Sequence, residues 1–226
     1  MPLISGLKLD VRPRELYRRA LGRRCNGFEA QFEEVVKEVK TGGLLEPRAA
    51  YEVHGIKKLS EARLELEGGW ALSLEAQMPC FSLKGAQKLV VLAGTIGPKL
   101  EGKVRELFEK GEPLKAVIMD GIGNALVDSL RDEACVIAEK IASEEGLEAG
   151  SPISPGMPGL DIEFQWEIMK RLPAKGIGLS ITRGGVLVPT KSFSSIIAVG
   201  KGVSRWERSD ICRVCKFRES CPYRRP

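Results

Sequence analysis

One helical pattern limits the fold more than any other feature of the chain. Over residues 113–145, Ile118, Ile122, Leu126, Leu130 and Ala134 recur at every fourth position, and Ile137 and Ile141 continue the stripe. Residues three and four apart stack on one face of an α-helix, so this spacing predicts one long amphipathic helix. Its length comes to about 48 Å at 1.5 Å per residue. Gly121 and Gly123 lie inside it, where each costs about 1 kcal/mol relative to alanine. Close packing against a strand or a cofactor explains their place best. Cys135, also inside, reads as a small core residue. Asp120, Asp128, Asp132 and Glu133 step around the helix and read as a solvated face rather than an acid pair.

Strand patterns accompany that helix. Leu64 and Leu66 alternate with charged residues, Gly68-Gly69 supplies a turn, and Trp70, Leu72 and Leu74 alternate again, which predicts a hairpin with one wet face. Residues 88–93 form a nearly continuous apolar run, as a buried strand does, and lead through Gly94-Thr95-Ile96-Gly97 into a helix over 98–110. The glycines beside Thr95 let backbone amides approach a ligand or another chain segment. No phosphate-loop lysine or spacing is present. Further strands are expected over 177–182 and 186–188, paired across Arg183-Gly184-Gly185, and over 193–199. Helices are expected over 14–21, with Pro13 in the first turn, over 28–41 from Phe28, Phe32, Val35, Val36 and Val39, and over 161–172 behind a proline and glycine loop at 150–159. A partly antiparallel sheet with one very long helix against it belongs to the α+β class.

The second feature is chemical. Cys212-Arg213-Val214-Cys215 is followed after five residues by Cys221-Pro222, in a stretch with little apolar content. Thiolates presented from one tight turn converge on a soft metal. Cys212, Cys215 and Cys221 are therefore expected to be metal ligands, with an iron–sulfur cluster as the first reading, structural zinc as the alternative, and a disulfide or free thiols as the remainder. Three ligands leave a shell incomplete, and Cys25, Cys80, Cys135 or a partner chain could supply the fourth. The single histidine, His54, lies in a strand-like stretch, so no Ser-His-Asp set exists and no catalytic residue is assigned.

Composition sharpens both points. With 226 residues, 43% hydrophobic and 29% charged, the chain can bury one substantial core and carry an appended module. No apolar run reaches the roughly 18 residues that a membrane span needs, and Met1-Pro2-Leu3 leads to Lys8 and Asp10 rather than to a signal-peptide core. A cytoplasmic location is expected, where the reducing poise disfavours disulfides and favours metal. The net charge of +5 resides in residues 201–226, which hold eight basic and three acidic residues, so the first 200 residues sum to zero. Cations that offset a thiolate cluster account for this better than a nucleic-acid patch does, because Trp206, Phe217 and Tyr223 are too few and too near the cysteines to form a stacking platform. Three segments are expected: 1–60 as an N-terminal helical segment, 61–200 as the core, and 201–226 as a basic cysteine-rich metal-binding tail.

Two sets of residues, taken together, are more specific than any single motif. One is Ala93-Gly94-Thr95-Ile96-Gly97 with Asp120-Gly121-Ile122-Gly123-Asn124-Ala125-Leu126 on the following helix. The other is Ser154-Pro155-Gly156-Met157-Pro158-Gly159, then Gly176-Ile177-Gly178-Leu179, Thr182, and Val188-Pro189-Thr190-Lys191-Ser192-Phe193-Ser194. In this order the chain resembles, over about residues 64–200, the reactivation domain of cobalamin-dependent methionine synthase, and especially its stand-alone relatives. The resemblance implies a C-shaped α+β domain with a central twisted antiparallel sheet flanked by helices. It also implies a groove that presents S-adenosylmethionine to a corrinoid held by another domain or protein. In the family, cob(II)alamin gains one electron and is trapped as methylcobalamin by methyl transfer from the sulfonium; the protein positions the reactants and excludes water.

By the same resemblance, Ser154, Pro155, Gly156, Met157, Thr182 and Arg183 are the expected cofactor-binding residues. The family loop commonly reads Arg-Pro-Ala-Pro-Gly-Tyr, whereas this chain has Pro152-Ile153-Ser154-Pro155-Gly156-Met157, without the arginine suited to a carboxylate. Where the family shows Thr-Glu, Arg183 follows Thr182, and this cation is a candidate replacement for the lost carboxylate partner. The expected function is an accessory or activation role in a corrinoid methyltransferase system, with the tail cluster as electron entry and a donor such as ferredoxin. The alternative is a non-redox module that binds a corrinoid protein or S-adenosylmethionine and carries a structural zinc tail. A third reading is recruitment of a corrinoid protein or nucleic acid through the basic tail.

Overall fold

The structure is a computed structural model that describes residues 3, 4, 9, 17, 27–60, 63–73, 83–157, 160–215 and 217–221. The expected helix at 14–21, together with Leu74, Cys25, Cys80 and Pro158-Gly159, falls outside the described residues apart from Tyr17. Five helices are described: α1 (Glu29–Thr41), α2 (Lys99–Glu109), α3 (Pro113–Glu144), α4 (Phe164–Arg171) and α5 (Arg208–Val214). The strands are β1 (Leu3–Ile4), β2 (Arg48–Leu59), β3 (Arg63–Leu66), β4 (Ala71–Ser73), β5 (Ala86–Thr95), β6 (Glu148–Ala149), β7 (Ser180–Ile181), β8 (Leu187–Val188) and β9 (Ser192–Gly200). The main sheet runs β4-β3-β2-β5-β9-β6 with β1 beside β2, and β7 pairs with β8 in a separate hairpin. The pairs β1/β2, β2/β3, β3/β4, β6/β9 and β7/β8 are antiparallel. So are β5 and β9, which are bracketed by bonds from Lys201 N–H to Gly85 C=O at one end and from Ile96 N–H to Lys191 C=O at the other. The class is α+β, as the patterns predict. Among the described residues, no helix is long and apolar enough to cross a membrane.

The long helix has 32 residues. Its buried line is Ile118, Ile122, Leu126, Leu130, Ala134, Ala138 and Ala142, still at four-residue steps, whereas Ile137 and Ile141 are only half-buried. A step of four overshoots one turn by about 40°, so the buried line winds around the helix instead of staying on one face. Alanines occupy its last part because a side chain that ends at Cβ lets neighbouring chain come close.

Two compact units emerge from the backbone. The first comprises Met1–Ala50, Ala93–Ala134 and Pro173–Phe193; the second comprises Tyr51–Leu92, Cys135–Leu172 and Ser194–Pro226. In the first, α1 buries Phe32, Val35, Val36 and Val39, and α2 buries Leu100, Val104 and Leu107. Glu38 on α1 takes ion pairs from both neighbouring helices: Lys115 on α3 reaches it at 2.9 Å, and Lys103 on α2 at 3.9 Å. The bond to Glu38 raises the Lys115 pKa above its ordinary value. In the second unit, Leu64, Leu66, Trp70, Leu89, Val90, Phe164, Ile168, Ile196 and Ile197 are all buried. The predicted hairpin is present, with Leu64 opposite Leu72.

Three local expectations change. Strand β2, with 12 residues, lies in the segment 1–60 expected to be helical. Its Ala49-Ala50, Glu52, His54-Gly55 and Lys57-Lys58 carry weak strand preference, and its conformation comes from pairing with β3 on one side and β5 on the other. The helix expected from 161 begins at Phe164, because the Phe164, Gln165 and Trp166 amides bond three residues back, closing tight turns rather than α-turns. The strand expected from 177 begins at Ser180, because Ala174–Ile177 is a 3₁₀ turn closed by Gly178 at φ +74°.

Candidate functional site

The residues singled out by sequence divide between the two units. In the second unit, Ile153 pairs with Ile196 on β9 through two backbone bonds of 2.9 and 2.8 Å. Ser154 follows, with its hydroxyl 2.8 Å from the Ser195 hydroxyl. Its N–H donates to Met157 Sδ at 3.3 Å, and the Gly156 N–H donates to the Leu160 carbonyl at 2.8 Å. Gly156 sits at φ +85°, a region that glycine enters without Cβ strain. Ser154, Pro155 and Met157 are half-buried and Gly156 is exposed. The loop is therefore a rigid turn anchored to the sheet, with no cation on it.

Thr182 and Arg183 belong to the first unit, at the turn between β7 and β8. Thr182 Oγ1 accepts the Val186 N–H at 3.1 Å, while the Thr182 N–H donates to the Val186 carbonyl at 2.9 Å. That hydroxyl is spent on closing the hairpin. Arg183 is exposed, and no ion pair is described for it.

The same unit contains a more enclosed group. Lys191, at the entrance to β9, is 6% exposed. Its ammonium meets Asp120 Oδ1 at 2.6 Å and Asn124 Oδ1 at 2.7 Å, one turn apart on α3. A Cβ on Gly123 would lie 2.8 Å from Leu100 Cδ2 and 3.1 Å from Lys191 Cε, so glycine makes room for the lysine stem. Thr95 Oγ1 donates to the Lys191 carbonyl at 3.3 Å and accepts the Gly97 N–H at 3.0 Å. A Cβ on Gly94 would stand 2.6 Å from the Phe193 ring. The Ala93–Gly97 loop thus receives another chain segment, and the close packing expected of Gly123 is against Leu100 and Lys191. Asp120 is an ion-pair partner here, a correction to its reading as solvated surface. Nearby, a pocket of about 280 Å³ opens between Val35 on α1 and Pro113, Leu114 and Ile118 on α3; none of the motif residues lines it.

In the tail, Cys212 lies on α5, Cys215 follows its last turn, and Cys221 comes after a further turn in which the Arg218 N–H donates to the Cys215 carbonyl at 3.0 Å. All three thiols are half-buried. Among the described residues, no three or more His, Cys, Asp or Glu side chains come together as metal ligands. The donor types suit a soft metal, but their placement does not gather them around one. The root of the tail is firmly held: the Trp206 N–H donates to Ser151 Oγ at 2.9 Å, Ser151 Oγ donates to the Trp206 carbonyl at 3.1 Å, and Arg205 Nε donates to the Ala149 carbonyl at 3.0 Å.

Sequence reasoning gave no role to Ser195 or Gln165, and it used Trp70 only as a hairpin residue and Ser194 only as part of a motif. Ser194 donates to Gln165 Oε1 at 3.2 Å behind the loop. Trp70 meets His54 edge-on at 5.2 Å and Phe164 at 6.1 Å, with Arg171 5.5 Å over its ring. His54 Nε2 lies 3.2 Å from Glu52 Oε2 but is too poorly aligned for a hydrogen bond. A serine pair inside a strand pattern was the one available signal, since buried hydroxyls need partners.

Neither protein-family models nor curated proteins give a match to the chain. Among solved structures, it superposes on the MetH reactivation domain bound to AdoHcy with a TM-score of 0.64 and 12% identity, covering 92% of this chain and 76% of that one. The chain has the MetH reactivation-domain fold. At 12% identity the likeness speaks for the fold alone. Within the MetH reactivation-domain fold, Ser154–Met157 and Thr182–Arg183 lie on separate compact units, while Asp120, Asn124 and Lys191 come together in one.

Proposed function

We propose that the protein is an accessory or activation factor for a cobalamin-dependent methyltransferase system. The observation that carries this reading is the MetH reactivation-domain fold, together with a preformed Ser154–Met157 loop in the stretch where the sequence resembles that domain. The solved neighbour is bound to AdoHcy, and here the Ser154–Met157 loop would take the corresponding S-adenosyl ligand while a partner protein brings the corrinoid. The chain's own part is to bind and orient the ligand and to exclude water. One electron from a reductant goes to the partner's cobalt, and the sulfonium carbon–sulfur bond breaks as the methyl group moves to it, leaving S-adenosylhomocysteine.

The direct test mixes the protein anaerobically with a corrinoid protein in the cob(II)alamin state, S-adenosylmethionine and a low-potential reductant. Methylcobalamin, followed by its absorption, should form faster with the protein than without it, with one S-adenosylhomocysteine released per methyl group. An unchanged rate overturns the reading. Arg183, on the other unit, is tested apart from the loop: an Arg183→Ala variant about tenfold weaker for S-adenosylhomocysteine, the order expected for a charge-assisted hydrogen bond, supports a carboxylate-binding role for it, and full affinity in isothermal titration overturns that role.

The finer reading gives Cys212, Cys215 and Cys221 an iron–sulfur cluster as electron entry from a donor such as ferredoxin. It rests on residue type and spacing. Oxygen-free protein should then contain iron and sulfide and show a band near roughly 400 nm that dithionite bleaches. The ungathered thiols favour a second reading, a non-redox corrinoid-protein or S-adenosylmethionine-binding module. Colourless protein that keeps full ligand affinity, with or without zinc, would support it.

A further inference from the structure

Strand β9 carries two adjacent buried serines in a stretch that continues as Ile196-Ile197-Ala198-Val199. A buried hydroxyl without a partner is costly, so an inner strand gains nothing from serine unless the hydroxyl is used. Both are used, and in different directions, as side chains alternate along a strand. Ser194 donates to Gln165 on α4, and Ser195, which is 0% exposed, pairs with Ser154. The Ser154–Ser195 pair stands directly beside the double backbone bridge of Ile153 and Ile196. Backbone bridge and hydroxyl pair together fix the direction in which residues 154–157 leave the sheet. Among the described residues, the loop beyond them is closed by bonds of its own, from Ser154 N–H to Met157 Sδ, from Met157 N–H to the Ser154 carbonyl, and from Gly156 N–H to the Leu160 carbonyl.

We propose that Ser195 is a positioning residue: acting through Ser154, it holds the loop in the form that receives an S-adenosyl ligand. This rests on the proposed reading of the loop as a ligand surface. Removal of the Ser195 hydroxyl frees the Ser154 side chain, which is half-buried and can turn to solvent, so the strand survives while the loop loses its fixed exit.

The test compares wild type with Ser195→Ala, Ser154→Ala, the double variant and Ser194→Ala. Two measurements are made: titration with S-adenosylhomocysteine, and hydrogen exchange of ligand-free protein. Each of Ser195→Ala and Ser154→Ala should weaken binding about tenfold, the scale of one hydrogen bond, and the double variant should be no weaker than either single, because both remove the same pair. Exchange at residues 154–157 should quicken in Ser195→Ala, with the Pro113–Glu144 helix unchanged. Ser194→Ala, buried one position away but bonded elsewhere, should stay within about twofold of wild type in binding. A purely structural role would instead weaken binding in Ser195→Ala and Ser194→Ala alike. Equal affinity in Ser195→Ala, additive losses in the double variant, or unchanged exchange each overturns the positioning role. Wild-type protein that binds no S-adenosylhomocysteine overturns the ligand reading of the loop, and the positioning role with it, even where the exchange result shows the latch itself.

Discussion

Lys191 shows how one residue can organise a motif. Its ammonium is almost fully buried, and burying a charge is costly unless it is paired and hydrogen-bonded. Asp120 and Asn124 meet that need, and Gly123 clears the space between them. Asp120, Gly123 and Asn124 of the Asp-Gly-Ile-Gly-Asn sequence are thereby explained as a cradle for a lysine from a distant stretch. Asp120→Ala leaves the ammonium with Asn124 alone and should cost about 1–3 kcal/mol in urea unfolding at neutral pH. Lys191→Met, which keeps the stem and removes the charge, should cost less than Asp120→Ala, since the half-exposed Asp120 can rehydrate. The reverse order would mean that Lys191 packs rather than pairs. Glu46 gives a pH counterpart. Its hydrogen bond to Lys99 holds its carboxyl below the ordinary 4.5. A depressed carboxylate pKa stabilises the fold above the ordinary value, and that contribution is lost as pH falls through the lower folded value. Stability measured from pH 6 downward should therefore fall less steeply in Glu46→Gln than in wild type. Among individual residues, the motif positions were legible in the sequence, but their partners were not. Asp120 and Lys191 are far apart along the chain, and periodicity carries no information about which charge a folded strand will bring to a helix.

At the scale of elements, legibility followed the strength of the local pattern. The helix at 113–144, the 63–73 hairpin and the apolar strands β5 and β9 were readable because burial imposes a period on many consecutive residues. Strand β2 was not readable, because its side chains alternate poorly and its neighbours in the sheet decide its conformation. The four-residue spacing in α3 was visible, yet its continuation through Ala138 and Ala142 rather than Ile137 and Ile141 was not. Hydrophobicity ranks isoleucine above alanine, but a close-packed contact selects for size. Ala138→Leu adds volume at a fully buried position and should cost about 1–3 kcal/mol through overpacking. Val136, which is 55% exposed two residues away, serves as the control. Val136→Ala should change stability by no more than about 0.5 kcal/mol. Chemical denaturation of both variants checks the pair, and a neutral Ala138→Leu would place the buried line on the isoleucines after all.

For the whole molecule, composition separated a neutral first 200 residues from a tail of +5, and a boundary at 201 follows from charge alone. Packing carries the folded part past that boundary. Val203 is buried, Arg205 Nε bonds to the Ala149 carbonyl, and Ser151 and Trp206 exchange two hydrogen bonds. The second unit therefore includes the root of the tail, and the thiols begin only after it. Two truncations distinguish the boundaries. A chain ended after Glu207 loses the six basic and two acidic residues of 208–226, and its net charge drops to +1. It keeps every bond of the root, so its unfolding free energy should stay within about 0.5 kcal/mol of the full chain. A chain ended after Gly200 loses the burial of Val203 and the bonds to Ala149 and Ser151, which together are worth about 3 kcal/mol. Hydrogen exchange at residues 149–151 should quicken only in the shorter chain. If both truncations weaken the fold equally, residues beyond 207 carry stability that half-exposed thiols and a seven-residue helix do not account for. If neither does, the root bonds contribute nothing net, and the charge boundary at 201 is also the structural one.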